Sequence, residues 1–300
     1  MYEVLAMPAS VPPPGPLPLQ GLRVVCFESR RSAESSRMIA RQGGEPVEAP
    51  ALREVPLRGP QGLDALEQQL LGGGRLTLVL LTGVGTDLMI EGIAQSLGRE
   101  RALQLLAAPS TTLVCRGPKP HAVLKACGIK PAVVVGEPNT WRDVLRELDA
   151  ADLVQGRVVY VQEYGRSNVE LLAELAQRAP AELRQIKTYE WTLPTDLGPL
   201  EAGIERIAQG DAEVALFTSG VQVTHLLQVA ERLEALERLR AGLERVVIAS
   251  VGPLTSETLK NAGLPPDVEP EHPKLGHLML ALAAEAAGKL AQKRAAQRAS

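Results

Sequence analysis

Short apolar runs that break off at Thr-Gly or Thr-Ser-Gly set the rhythm of the chain. In Val214–Phe217 every position is apolar, and the run stops at Thr218-Ser219-Gly220. Apolar residues then recur at Val221, Leu226, Leu227 and Val229 with helical spacing. A run apolar at each position reads as a strand buried on both faces, and the change of period reads as a tight turn into a helix. Residues 76–81 repeat the arrangement ahead of Thr82-Gly83-Val84-Gly85. The same reasoning predicts a strand at 21–27, a helix over Ser32–Arg41 ended by Gly43-Gly44, an extended stretch at 46–56 and a helix at 62–71. After the first Thr-Gly turn come helices at 87–97 and 99–106, a strand at 111–115, a helix at 121–127, a strand at 132–135 and a helix at 141–148. A second series follows. It has a strand at 156–161, a helix ending near Arg178, an extended stretch at 183–189 running on to Pro194, and a helix at 199–207. Then come the run at 214–217 with its helix, a strand at 246–251, a helix ending at Asn261, a short strand beginning at Val268 and a helix at 275–290.

The second series echoes the first. Gly21 and Gly156, Thr82 and Thr218, and Gly117 and Gly252 are separated by nearly the same interval, about 135 residues, which argues for a duplicated unit. Each unit alternates strands with helices, so each should form a parallel sheet covered by helices on both faces. Outside these units lie a proline-rich leader, residues 1–18, expected to be extended or disordered, and a basic, alanine-rich tail, residues 289–300, expected to be a solvated end.

Composition narrows the function. Apolar residues make up 45% of the 300, enough for proper cores, but aromatics only 3%, so Leu, Val and Ala must fill them. A net charge of -3 gives no electrostatic footprint for nucleic acid or an anionic membrane. An anionic ligand would therefore be held by local donors. Cys26, Cys115 and Cys127 make no disulfide framework and read as small buried thiols. His121, His225, His272 and His277 lack metal-ligand spacing, so no metal is expected. No run reaches membrane-spanning length and no secretory signal is visible, so the expected compartment is the cytoplasm.

In parallel sheets the ligand edge is where strands end and helices begin. Two such edges facing each other would make a cleft. The turns placed there offer the hydroxyls of Thr82, Thr218, Ser219, Thr255 and Ser256, and the cations Arg30, Arg31, Arg116, Lys119 and Arg166. Gly83, Gly85, Gly117, Gly165, Gly220 and Gly252 would let backbone N–H groups approach an acidic ligand, with Tyr164 beside Gly165. The competing readings are plain: Thr218 or Ser219 as a helix cap, the arginines as surface ion pairs, and the glycines as turn geometry. Neither a phosphate loop nor a dinucleotide fingerprint is present at these turns. Tyr189 closes the extended stretch between units and is either a cleft-facing phenol or a packed junction residue.

Several stretches together resemble uroporphyrinogen-III synthase over residues 21–284. They are the Arg23-Val24-Val25 strand with its Arg30-Arg31 helix start, Leu80-Leu81-Thr82-Gly83-Val84-Gly85, and Gly117-Pro118-Lys119-Pro120. To these add Tyr189 with Pro194, Phe217-Thr218-Ser219-Gly220-Val221, and the stretch from Val251 to Leu264. The resemblance implies two similar flavodoxin-like α/β domains facing across a cleft and joined by a two-stranded connector. Residues 19–52 with 192–288 would form one domain, and 53–191, with the connector strands at its ends, the other. It implies a cofactor-free, monomeric lyase that closes hydroxymethylbilane, a linear polycarboxylate tetrapyrrole, with inversion of the terminal pyrrole and loss of water. It makes Tyr189 the candidate acid and matches Thr218, Ser219 and Thr255 to hydroxyl positions of the second edge. With the strand-end residues above, the candidate substrate-binding residues are Arg30, Arg31, Thr82, Gly83, Gly85, Arg116, Gly117, Lys119, Tyr164, Gly165, Thr218, Ser219, Gly220, Gly252 and Thr255. Two departures stand out: Pro120 replaces a common Thr, and Arg30-Arg31 replaces a common Thr-Arg-Pro. The rivals are a non-enzymatic two-lobed sensor or carrier of an acidic small molecule and a nucleotide-sugar transferase, the latter disfavoured by the missing diphosphate loop.

Overall fold

A computed structural model describes residues 17–163, 165 and 167–299. Most of the leader, together with Tyr164 and Arg166, therefore lies outside the described residues. In chain order the first elements are β1 (Arg23–Cys26), α1 (Ser32–Arg41), β2 (Glu45–Glu48), β3 (Arg53–Gln61), α2 (Leu63–Gly72), β4 (Leu76–Leu80), α3 (Gly83–Leu97) and α4 (Arg99–Leu106). Next come β5 (Thr111–Cys115), α5 (Pro118–Ala126), β6 (Val133–Val134), α6 (Trp141–Ala150), β7 (Val158–Gln162), α7 (Val169–Gln177) and β8 (Glu182–Thr192). The chain finishes with α8 (Gly198–Gln209), β9 (Val214–Phe217), α9 (Gly220–Arg232), α10 (Leu236–Leu243), β10 (Val247–Ser250), α11 (Pro253–Asn261) and α12 (Leu275–Ala299).

Two sheets result. A four-stranded parallel sheet has the order β10-β9-β1-β2, and a six-stranded sheet the order β3-β8-β7-β4-β5-β6. Both are sandwiched by helices, and the strand alternation shows why. In the first sheet Val25, Phe27, Ala215, Phe217 and Ile248 face α8 to α11, while Val24, Cys26, Val214, Leu216 and Val247 face α1 and α12. In the second, Leu76, Leu78, Leu80 and Tyr160 face α2 to α5, while Val79, Leu81, Val159 and Val161 face α6 and α7. With both faces covered, a strand must be largely apolar at successive positions, as at 214–217 and, apart from Thr77 with its internal hydrogen bond, at 76–80.

β8 belongs to two ladders. Residues 182–186 run parallel to β7, and 187–192 run antiparallel to β3, with Arg53 opposite Thr192, Glu54 opposite Trp191 and Pro56 opposite Tyr189. β3 and the second half of β8 thus form a two-stranded ribbon on the way between the sheets. The strand-end loops of the two sheets face each other. The Glu137 carboxylate bonds Lys274 Nζ at 2.7 Å and His272 Nδ1 at 3.1 Å, and Arg142 Nη2 lies 3.2 Å from Glu257 Oε1.

Several expectations need correction. The two echoing units do not each form their own sheet: β1 and β2 of the first pair with β9 and β10 of the second, and β7 and β8 of the second join β4, β5 and β6 of the first. α3 begins at Gly83 and α5 at Pro118, so the Gly- and Pro-rich stretches there are first helical turns rather than loops. Pro suits that position because the first helical N–H groups have no intrahelical partner. α10 was not foreseen, and Val268 makes only a single bridge to Ala249. The basic tail continues α12, and Lys293 and Arg294 pair with Asp267 and Glu213 at 2.9 and 3.7 Å.

Candidate active site

β4 delivers Thr82 to the strand-end edge, where it caps α3. Its hydroxyl oxygen accepts from Gly85 N at 3.0 Å, and the Thr82 N–H donates to Gln162 Oε1 at 3.2 Å. β8 delivers Tyr189 beside it, and the Tyr189 hydroxyl donates to Thr82 Oγ1 at 3.3 Å. With both lone pairs engaged, the Thr82 hydroxyl hydrogen is left to donate outward. Tyr189 is 2% exposed, with Trp191 edge-on at a centroid distance of 6.3 Å. Burial pushes its phenol up to about 12, against the pull of the Thr82 hydrogen bond and of Arg116 and Arg30, with Glu54 adding to the rise. Tyr189 is therefore both a junction residue and part of the strand-end edge.

Cations from both halves gather around this pair. Arg30 and Arg31 stand at the end of β1, Arg116 and Lys119 at the end of β5. Lys119 has an exposed side chain, yet crowding by surrounding protein, then repulsion from Arg30, Arg116 and Arg31, lowers its pKa, while Glu28 works the other way. These groups sense one another only because the two edges are close. Arg31 also pairs with Glu34 one turn on, and Arg30 Nη1 donates to Glu54 Oε2 at 3.1 Å.

The opposite edge carries Thr218 and Ser219. Ser219 caps α9, while Gln222 Oε1 accepts from the N–H groups of Thr218 and Ser219 at 2.7 and 3.1 Å. The Thr218 hydroxyl donates to the Glu28 carboxylate, which also accepts from Arg31 N at 3.0 Å. Thr255 is 4% exposed within the first turn of α11, and Ser256 is buried against Ser250 and Glu269. Of the candidate donors, then, Thr82, Thr218 and Ser219 lie on the facing edges, and Thr255 sits beneath them.

The glycines turn out to serve packing as much as any ligand. Gly117 and Gly252 have extended backbones, but a Cβ at Gly117 would sit 2.7 Å from the Asn139 amide and one at Gly252 would sit 2.6 Å from Pro273 Cβ. Gly165 has φ +33, and a Cβ there would come 2.1 Å from the Trp191 ring, so its place beneath the ribbon needs glycine. Gly85 lies against the Gln162 amide, Gly83 against Lys119 and Gly220 against Thr258. Tyr164 and Arg166, also candidates, lie outside the described residues.

Four site residues were missed: Glu28, Glu54, Gln162 and Gln222. Glu28, Glu54 and Gln162 are lone polar residues with no local motif. Only Gln222 carried a signal, since it stands three residues after Ser219 as a capping box requires. Two shallow surface hollows lie elsewhere, one against Gln68, Tyr160 and Arg184 and one against Pro109, Thr112 and Lys130. Both open near strand beginnings, away from the facing edges. Among the described residues no cluster of three His, Cys, Asp or Glu could hold a metal ion. His272 and His277 do meet, however, with ring centroids 5.2 Å apart. Cys26 and Cys115 are buried, and burial pushes their thiols up to about 11 and about 12, whereas Cys127 is half-buried at the end of α5.

Comparison with known proteins gives this geometry its context. The chain is 28% identical over 270 residues to the uncharacterized protein YjjA of Bacillus subtilis, covering 88% of this chain and 96% of that one. It is 26% identical over 255 residues to a putative uroporphyrinogen-III synthase of Methanothermobacter thermautotrophicus, covering 84% and 94%. Its fold superposes on a crystal structure of a mutant uroporphyrinogen III synthase from Thermus thermophilus with a TM-score of 0.64 at 25% identity, covering 90% of this chain and all of the other. The family model for uroporphyrinogen-III synthase HemD matches residues 33–279, and the chain belongs to that family.

Proposed function

We propose that this enzyme closes hydroxymethylbilane to the inverted cyclic tetrapyrrole with loss of water, through a spiro intermediate, and that Tyr189 is its general acid. The observation that carries the reading is the meeting, at one place, of a buried phenol on a threonine hydroxyl with cations from both strand-end edges. A flexible polycarboxylate needs donors spread over two walls rather than one deep pocket. In this reading Arg30, Arg31, Arg116 and Lys119, with the hydroxyls of Thr82, Thr218 and Ser219 and the backbone around Gly83, Gly85, Gly117, Gly165, Gly220 and Gly252, grip the acids. Tyr164 and Thr255 complete the set.

The chemistry asks little beyond control. Loss of the terminal hydroxyl leaves a resonance-stabilised cation, which attacks the substituted carbon of the last pyrrole and gives a spiro centre. That centre fragments and recloses inverted. In free water the same cation closes without inversion. Holding the two ends in one geometry and excluding the competing closure is work for a clamp that shuts around its ligand.

The domain division 19–52 with 192–288 against 53–191 fits this reading, because it places one wall on each domain and the ribbon between them. The reading also takes the enzyme as a cytoplasmic monomer, which cell fractionation and sedimentation of the purified chain check. The decisive experiment supplies freshly generated hydroxymethylbilane and identifies the cyclic isomer. The inverted isomer is expected, and the spontaneous isomer alone would leave only a binding protein.

A further inference from the structure

A wall that grips a polycarboxylate has no use for a fixed anion in its midst, since like charges at close range weaken binding. Two carboxylates nevertheless stand among the cations. Glu28 serves the chain itself, accepting from Arg31 N and the Thr218 hydroxyl. Glu54 is placed differently. It lies opposite Trp191 in the ribbon, and Pro56, two residues on, lies opposite Tyr189. Residues two apart in a strand share a face. Glu54, Trp191 and Tyr189 therefore rise from one face, with Glu54 and Tyr189 diagonal neighbours about 7 Å apart. The carboxylate is held at both oxygens: Arg30 Nη1 donates to Oε2 at 3.1 Å and Trp191 Nε1 to Oε1 at 3.4 Å. It keeps 21% of its side-chain surface exposed, so it is oriented without being sealed.

We propose that Glu54 is a further catalytic residue, its carboxylate lying against the cation that forms when the substrate hydroxyl departs. The inference rests on the synthase reading. In the ionising step the carbon–oxygen bond breaks with its electron pair going to oxygen. That oxygen takes the Tyr189 proton and leaves as water, and the pyrrole nitrogen lone pair moves in to form a double bond. The products are water, a Tyr189 phenolate and one positive charge shared between nitrogen and the methylene carbon. Carbon–carbon closure and loss of a ring proton then discharge the cation and reprotonate Tyr189. This cation, and the like cation released when the spiro centre fragments, are the positive species along a path otherwise populated by acids. A carboxylate against the cation stabilises the transition state and opposes the polyanionic ground state. It also opposes the Tyr189 phenolate, so the step gains only because the cation lies in contact with Glu54 whereas the phenol is a diagonal neighbour.

The two effects separate in kinetics. With freshly generated hydroxymethylbilane, Glu54→Gln is expected to lower kcat by about 10²-fold, the scale of losing one charge-stabilising group, while KM stays level or falls. Glu54→Asp, which keeps the charge, should recover part of kcat. Arg30→Gln breaks the same ion pair and should raise KM instead. Circular dichroism of each variant establishes that it is folded. A Glu54→Gln enzyme with kcat within twofold of wild type, or one whose loss appears in KM as for Arg30→Gln, overturns the role of Glu54 alone. If Glu54→Gln is unfolded, a Glu54→Asp enzyme no more active than the Arg30→Gln variant overturns it as well. A wild-type protein that gives only the uninverted isomer overturns the synthase reading and this inference together.

Discussion

Tyr189 is where burial and reactivity meet most directly. Its phenol is sealed to 2% exposure and hydrogen-bonded to Thr82, and burial holds its proton up to about 12. The general acid proposed here must still carry its proton at working pH, and Tyr189 does so throughout the neutral range. Tyr189→Phe should slow kcat by roughly 10²-fold without abolishing turnover, because a positioned acid contributes about 10²–10⁴-fold and the substrate ionises unaided. A variant with unchanged kcat would remove Tyr189 from the mechanism. The shift also fixes a pH dependence. A raised folded pKa gives stability that is present below the unfolded value near 10 and lost as pH climbs through about 12. Thermal melts of wild type should therefore lose ground to Tyr189→Phe across that window. The rim cations could be proposed from the sequence because strand ends announce themselves, and Tyr189 because the resemblance pointed to it, although it lies inside β8 rather than at its end. Glu54 could not be, because its meaning comes from pairing with residues far along the chain, and no local spacing records that register.

At the level of elements, the apolar runs located the buried strands because those strands are covered on both faces, and a polar residue within them, such as Thr77, is held by an internal hydrogen bond to the Leu153 carbonyl. Helix starts were less legible. Gly83-Val84-Gly85 and Pro118-Lys119-Pro120 look like loops by composition, yet they are first turns, stabilised by the Thr82 cap in one case and a proline at the helix start in the other. α10 escaped notice because its Leu236, Leu239 and Leu243 follow directly on the α9 pattern with only a short turn between. This helix packs on α8 through Gly242, where a Cβ would lie 2.2 Å from the Ile207 carbonyl oxygen. Backbone cannot yield as a side-chain tip can, so the two helices would have to separate. Gly242→Ala should destabilise the protein by about 1–3 kcal/mol, as overpacking does. Urea unfolding measures it, and an unchanged midpoint would show that α10 shifts freely.

Across the whole molecule, the two sheets touch through charged groups at the strand-end edges: Glu137 with Lys274 and His272, and Arg142 with Glu257. These pairs are exposed, and exposed pairs contribute only about 0–1 kcal/mol each, so they bias the clamp rather than lock it. A Glu137→Gln/Arg142→Gln variant should show a larger radius of gyration in small-angle scattering at low salt, and high salt should erase the difference. Identical scattering profiles would mean that the ribbon alone sets the angle. The ribbon carries one more consequence. Since Arg53 lies opposite Thr192, the outgoing and returning strands part company at a single doorway. On the proposed division everything between them is a cassette, and the remaining chain owns a four-stranded sheet with its own two coats of helix. Splicing Leu52 to Leu193 with a short turn should yield a miniature that melts cooperatively and turns over nothing. A splice product that stays unstructured would show that the visitor holds up its host.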